Sequence, residues 1–320
     1  MIRGLSVLTV CMNRQHHLLT SAERISSWTH HEEHLILDWS SREPLRRNQF
    51  PNDSRIRLER VEEEDRWNLC RAYNFAAQLA KGNLFLKLDA DCWPDDFDPA
   101  AYLESALNTC WFGSGPDGRL GQFLMSRESF EAVGGFNEIL MGYGFDDKDL
   151  KARLQSLDIL VLSLPEDAIS VIPHTIHERV GREKEVNHTK SFYQESLSFA
   201  YRRTTSISNR VSAAHYPWSS QRKGTHYKNL NRKVWTAVPH SIPELQPQVV
   251  DELRSLRRQI FWGEFLLIPA AVIRSLPQLL LSSDINGSYQ IRWWHKVYSF
   301  IVTRVVFIVV SLISLKFWKS

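Results

Sequence analysis

Apolar positions in the first half of the chain come in short runs separated by helical stretches. Residues 5–10 (LSVLTV), 34–39 (HLILDW) and 84–88 (LFLKL) read as buried strands. Residues 15–28 have helical spacing. So do residues 66–80, where Leu69, Ala72, Tyr73, Ala76, Leu79 and Ala80 share one side ahead of the stop Lys81-Gly82-Asn83. Residues 113–125 predict a turn and then a strand, with 122–125 crossing back over the other strand ends. Helices are predicted at 130–133 and 146–157, and short strands at 159–162 and 169–172. This alternation predicts an α/β domain around a mostly parallel sheet. Ligands of such sheets bind at the carboxyl ends of the strands. Three polar clusters fall there: Asn13-Arg14, Asp38 and Asp89/Asp91.

From about residue 205 the pattern is lost. Residues 204–247 are rich in Ser, Asn, His, Arg and Pro. The chain therefore divides into a domain over 1–204, a linker and loop region over 205–250, and a helical tail over 251–320. The tail holds two apolar segments, 260–282, broken by Pro269 and Pro277, and 297–315. The second has 14 apolar positions of 19, close to the roughly 20 that a spanning helix needs, so it either spans a membrane or lies in its plane.

Charge sharpens this division. The net charge of +3 hides a basic part, residues 202–320, with 17 Lys+Arg against 5 Asp+Glu, and an acidic remainder. Six of the 11 Trp also lie in that basic part. Basic side chains beside tryptophan favour an anionic membrane surface as partner rather than nucleic acid. Residues 1–10 lack the pattern of a signal peptide, which leads us to expect the domain on the cytoplasmic face of the inner or plasma membrane. The four cysteines have no CxxC spacing and predict neither a disulfide framework nor a zinc knuckle.

Asp89-Ala90-Asp91 ends an apolar strand, and two carboxylates at alternate extended positions can share a hard cation. His174 and His177, after Pro173, offer two imidazoles that suit manganese, zinc or iron, and Asp91 can complete such a set. The stretch from Gly134 to Asp147 places four glycines around Tyr143 and ends in Asp146-Asp147. Tyr143 can stack on a sugar ring, and Asp147 can serve as a general base. The same two acids also cap a helix and complement its dipole, so this reading stays open at this point.

Taken in order, "SVLTVCMNRQHHLL", "LDAD", "GGFNEILMGYGFDDKDL" and "VIPHTIH" resemble the inverting GT-A glycosyltransferases. The N-terminal part is similar to family 2 enzymes, and the glycine-aromatic-acid stretch to the β-1,4-galactosyltransferases and the chondroitin-polymerase type. The resemblance covers roughly residues 5–180. It implies a GT-A fold and a metal-dependent transfer of a hexose or N-acetylhexosamine from a UDP-sugar to a glycan or lipid-linked saccharide. Asp91, His177, His174 and Asp89 would hold a divalent metal, manganese or else magnesium, and Asp147 would be the catalytic base. Thr9, Asn13, Arg14, Asp38, Asn74 and Asp89 would bind the nucleotide. Gly135, Tyr143, Gly144 and Asp146 would bind the donor or acceptor sugar. Phe145 stands where the family usually has glycine. A sugar-phosphate nucleotidyltransferase and a non-catalytic, membrane-bound glycan-binding protein are the alternatives.

Overall fold

A computed structural model of the chain describes residues 4–95, 97–103, 105–115, 118–142, 144–173 and 192–255, and three single positions beyond. It divides into two compact units, residues 1–174 with 209–246, and residues 175–208 with 247–320.

The first unit is built on a mixed sheet. Its strands are β1 (Leu5–Cys11), β2 (Glu33–Trp39), β3 (Ile56–Glu62), β4 (Leu84–Lys87), β6 (Thr109–Phe112), β7 (Phe123–Ser126), β8 (Leu160–Ser163), β10 (Tyr227–Asn231) and β11 (Val234–Ala237). Their order across the sheet is β10-β11-β3-β2-β1-β4-β7-β6-β8. From β11 to β4 all neighbours are parallel, whereas β7 runs antiparallel to both β4 and β6. All seven positions of β1 and of β2 are buried, as a strand covered on both faces requires. The chain turns one way from β1 to β2 and β3 and the other way to β4. The carboxyl ends of β1 and β4 therefore border the crevice where such a sheet binds ligands.

Helices α1 (Gln15–Ser27), α2 (Leu69–Leu79), α3 (Arg127–Ala132) and α4 (Asp146–Gln155) follow strands β1, β3 and β7 and the glycine-rich stretch. Asn68 caps α2 by accepting a hydrogen bond from the Arg71 amide at 3.0 Å. A second ribbon pairs β5 (Cys92–Pro94) with β9 (Ile169–Val171).

Strand β3 carries charges at four of its seven positions, which hid it in the hydrophobic pattern. Those charges have partners on both neighbouring strands: Arg57 Nε lies 3.1 Å from Glu33 Oε1, and Glu59 Oε2 accepts from the Trp235 indole at 2.9 Å. The expected linker over 205–250 is corrected by the same edge of the sheet. It supplies the end of helix α5 (Phe192–His215) and the β10–β11 hairpin, whose β11 extends the sheet beside β3. The physical reason is aromatic burial: Tyr227 stacks on Phe75 at 4.0 Å, and Trp235 meets the same ring edge-on at 5.4 Å. Among the described residues no helix is long and apolar enough to cross a membrane. Segments 260–282 and 297–315 lie outside the described residues, apart from positions 297 and 301.

An aromatic cluster under the sheet fixes the glycine-rich turn. Phe136 lies 6.2 Å from Tyr73 of α2, 6.0 Å from Phe123 of β7 and 5.8 Å from Phe130 of α3, centroid to centroid. Burying one such ring contributes about 1.5–3 kcal/mol. The turn itself is clamped by Asn74, whose Nδ2 donates to Phe136 O at 2.9 Å and Glu138 Oε1 at 2.8 Å, while its Oδ1 accepts from Phe136 N at 2.7 Å. Gly135 has φ +68°, and a Cβ there would lie 2.4 Å from Asn74 Oδ1, so only glycine fits. Asn74→Ala leaves the buried Phe136 amide without its acceptor. We expect a loss of about 2–4 kcal/mol, read from urea unfolding; an unchanged midpoint would show that the clamp contributes nothing.

Candidate active site

The centre of the crevice is a carboxylate held on three sides. Lys87, the last residue of β4, is buried, and its Nζ donates to Asp89 Oδ1 at 2.6 Å while lying 4.6 Å from the centroid of the Tyr73 ring. The Tyr73 hydroxyl is shared between Leu88 O at 2.9 Å and Asp89 Oδ1 at 3.0 Å. Gln122 spans both ends of the residue: its Nε2 donates to Asp89 Oδ2 at 2.8 Å, and its Oε1 accepts from the Asp89 amide at 2.8 Å. The register that pairs Lys87 with Phe123 brings Gln122 to this point. Burial pushes the Asp89 carboxyl up, but Lys87, Gln122 and Tyr73 outweigh it and hold it below the usual carboxylate range. One edge stays open, with the side chain 36% exposed.

Asp91 stands where the chain leaves this cradle for β5. Its carbonyl accepts from Ile172 N at 2.9 Å, just past the end of β9. The ribbon thus brings residue 172, two before His174, against Asp91. His174 and His177 lie outside the described residues, as does Tyr143. Among the described residues no group of three or more His, Cys, Asp or Glu forms a metal cage. The half-buried Asp91 fits a divalent cation only as one member of a mixed oxygen and imidazole set.

Helix α4 brings the second acid group. Asp146 and Asp147 occupy its first turn, after Gly142 and Gly144, both with positive φ. Burial first, and the neighbouring Asp147 charge second, push the Asp146 carboxyl up to about 6, with Lys87 opposing and Asp89 adding to the shift. Asp146 therefore shares the electric field of the β4 cradle. Asp147 is within electrostatic reach of Lys151, one turn along the helix. Buried Asp149 pairs with Arg153 at 2.7 Å, and Arg153 Nη1 donates to Val133 O and Gly135 O, both at 2.7 Å. Asn209 fastens the other side of the loop, donating to Met141 O at 3.0 Å and Gly144 O at 2.8 Å.

The remaining expected residues divide. Asn13 is exposed after β1, with φ +59°, and its Oδ1 accepts from Arg42 N at 2.9 Å; Arg14 beside it is half-buried. Thr9, Asp38 and Asn74, expected as nucleotide contacts, lie inside the protein. The Thr9 hydroxyl meets His34 Nε2 at 3.1 Å. Asp38 accepts from the Ser41 and Leu45 amides at 2.9 and 3.1 Å and pairs with Arg60. These three are buried in the crevice walls, and their polar atoms have internal partners in this structure. Gly135 likewise serves the backbone turn. Lys87, Arg153 and Asn209 did not stand out in the sequence, since a lone Lys in a strand or Asn in a helix carries no signal until its partners are placed.

Residues 117–178 match the family model described as the N-terminal domain of galactosyltransferase. This segment is galactosyltransferase-like. The match spans both the glycine-rich turn and the acids of α4, and supports a glycosyltransferase. A search of curated proteins gives no match. Among solved structures, the catalytic domain of Drosophila β1,4-galactosyltransferase 7, in complex with xylobiose, is 14% identical, with 73% of this chain and 92% of that one covered and a TM-score of 0.41. Glucosyl-3-phosphoglycerate synthase from Mycobacterium tuberculosis, with Mn2+, UDP and phosphoglyceric acid, is 14% identical over 75% and 88%, with a TM-score of 0.47. A mannosyltransferase from Pyrobaculum calidifontis, with GDP-Man and Mn2+, is 12% identical over 87% and 77%, also at 0.47.

The raised Asp146 carboxyl of the galactosyltransferase-like segment makes a stability prediction. A folded value above the unfolded 3.8 means that folding disfavours the ionised form. The neutral acid is fully tolerated below 3.8, and that advantage is lost as pH rises through about 6. Asp146→Asn should therefore gain about 1–2 kcal/mol over wild type at about pH 7 and almost nothing at about pH 4, after allowance for solvent screening. Thermal melts of both proteins across this range test it; a gain independent of pH would contradict the shift.

Proposed function

We propose that the chain is a metal-dependent, inverting glycosyltransferase that moves a hexose or N-acetylhexosamine from a UDP-sugar to a glycan or lipid-linked acceptor, in the assembly of a surface polysaccharide. The observation that carries this reading is the pairing of acids across one crevice: Asp89, clamped at the end of β4, and Asp146, on α4, which feels both Lys87 and Asp89. The galactosyltransferase-like segment supplies the second of the two.

In this reading the nucleotide lies at the carboxyl ends of β1 and β4, with Asn13 and Arg14 on one side. Asp89 keeps its open edge for the ribose hydroxyls, because Lys87, Gln122 and Tyr73 already hold both of its oxygens. Asp91, His177 and His174 would hold the divalent cation, manganese or else magnesium, whose charge neutralises the departing diphosphate when bound. Tyr143 and Gly144 shape the sugar subsite. Asp147 takes the proton of the acceptor hydroxyl, whose oxygen attacks the anomeric carbon from the face opposite UDP, so the configuration inverts. Asp146 orients the sugar beside it. A second reading exchanges the two acids, and the Asp146 carboxyl near 6 favours it, since a base poised close to neutrality transfers protons best.

Release of UDP from a panel of UDP-sugars, with manganese and oligosaccharide acceptors, tests the class. A nucleotidyltransferase would release pyrophosphate from a sugar phosphate and a nucleoside triphosphate instead. A glycan-binding protein would release neither product and would tolerate loss of Asp91. We expect Asp147→Asn to lose about 10²–10⁴-fold in transfer while still binding UDP with manganese. Near wild-type transfer by that variant, together with collapse in Asp146→Asn, would move the base to Asp146.

We also propose that residues 251–320 tether the enzyme to the cytoplasmic membrane face, on the strength of their basic and tryptophan-rich composition. Full-length protein should co-sediment with phosphatidylglycerol vesicles and less with neutral ones. Protein that stays soluble without detergent and ignores both would remove the tether.

A further inference from the structure

Beyond the segment that matches the galactosyltransferase model, residues 216–225 fold back onto the glycine-rich turn and are fastened there at both ends. The Trp218 indole donates to Gly134 O at 2.8 Å. At the other end, the Thr225 amide and hydroxyl both donate to Glu138 Oε2 at 2.7 Å. The fit is close: a Cβ on Gly134 would lie 2.5 Å from Ser219 O. Arg153 of α4 grips the same turn through Val133 O and Gly135 O. The acid-bearing helix and this fold-back are thus anchored to one short piece of backbone.

Together with residues 240–243, the fold-back encloses a groove of about 640 Å³. Its lining includes Tyr216, Pro217 and Trp218 together with Arg222, Lys223 and His240. No acidic residue lines it among the described residues, and the segment 221–233 carries five Lys or Arg and no Asp or Glu. Arg222 is held ready rather than paired. Its guanidinium lies 3.8 Å over the Tyr216 ring, and its Nε donates to Pro217 O at 2.8 Å. Among the described residues its two terminal nitrogens have no partner, and Lys223 pairs with no acid. A guanidinium fixed by stacking and one hydrogen bond offers its free edge to a planar or tetrahedral anion in two-point contact, at little further entropic cost. Aromatic and proline surface next to it suits the apolar face of a sugar ring.

We propose that this groove binds an acidic saccharide unit of the acceptor, one that carries a carboxylate or phosphate, with Arg222 and Lys223 receiving the anion and Tyr216 the ring. The assignment to the acceptor rests on the glycosyltransferase reading; the binding of an acidic sugar does not. Uronates and sugar phosphates present the same chemistry and are separated by the probes used.

The test is calorimetric titration of the full-length protein with a glucuronate-containing disaccharide, with glucose 1-phosphate, and with the neutral disaccharide cellobiose. UDP with manganese is titrated in parallel. At least one acidic probe should bind about tenfold or more tightly than cellobiose, and weaken as salt is raised. The acidic probe that binds identifies the anion. Arg222→Gln combined with Lys223→Gln should abolish that preference and leave UDP binding unchanged; both side chains are exposed, so the fold is retained. Equal binding of acidic and neutral probes, or an unaltered preference in the double variant, would overturn the groove. Failure of UDP to bind, with the preference for the acidic probe intact, would overturn the transferase reading and still support the groove.

Discussion

A single buried ammonium sets the terms for the crevice. Lys87 is almost wholly removed from water, and an uncompensated charge there would be untenable, costing several kcal/mol even after relaxation. Asp89 is its counter-ion, and the Lys87 charge helps to hold that carboxyl below the usual carboxylate range. The pair adds little net stability, since desolvation offsets the attraction, but removing either partner strands the other. What the arrangement provides is position: Gln122 and Tyr73 fix the two oxygens and leave a defined open edge.

The second constraint is mechanical. The turn around Gly134 and Gly135 is held by Asn74 from α2, Arg153 from α4 and Trp218 from the fold-back, with Phe136 driven into the aromatic core below it. Three separate elements meet on a few backbone carbonyls and amides, and glycine is required because the Ser219 backbone at Gly134 and the Asn74 side chain at Gly135 already occupy the space of a Cβ. Asn209 adds a further fastening on Met141 and Gly144. A loop with so many fixed points holds the first turn of α4 in one place.

Much of this was legible in the sequence, and the rest was hidden for identifiable reasons. Strands β1, β2 and β4 announce themselves because burial on both faces makes most of their positions apolar. Strand β3 and the β10–β11 hairpin do not, because their polar positions are satisfied by partners far away in the chain, such as Trp235 on Glu59. The acids at the strand ends and helix start were found from spacing alone. Their partners were not, because nothing in the sequence pairs Asp38 with Arg60 or Asn74 with Phe136. Lys87 reads as an ordinary strand residue until Asp89 is placed beside it. Local pattern carries the scaffold, whereas the electrostatics of the site are built from long-range pairs.

Phe145 shows what the start of the acid-bearing helix demands of the backbone. It precedes Asp146 with φ +81°, a left-handed conformation that disfavours a bulky side chain. Glycine would adopt it without penalty, and glycine is what the resemblance leads one to expect there. Holding a phenylalanine in this region costs on the order of 1–3 kcal/mol. The half-buried ring repays part of this by packing against the aromatic core under the sheet. The Phe145 carbonyl also accepts the Asp149 amide at 2.9 Å, so the strained residue starts the helix as well. Strain of this kind persists only where surrounding contacts over-determine the backbone. Here they are Asn209 on Gly144 before it and the Asp149–Arg153 pair after it. The chain thus tolerates a poor local conformation at the residue that starts the helix bearing Asp146 and Asp147, because contacts on both sides of it leave the backbone no alternative.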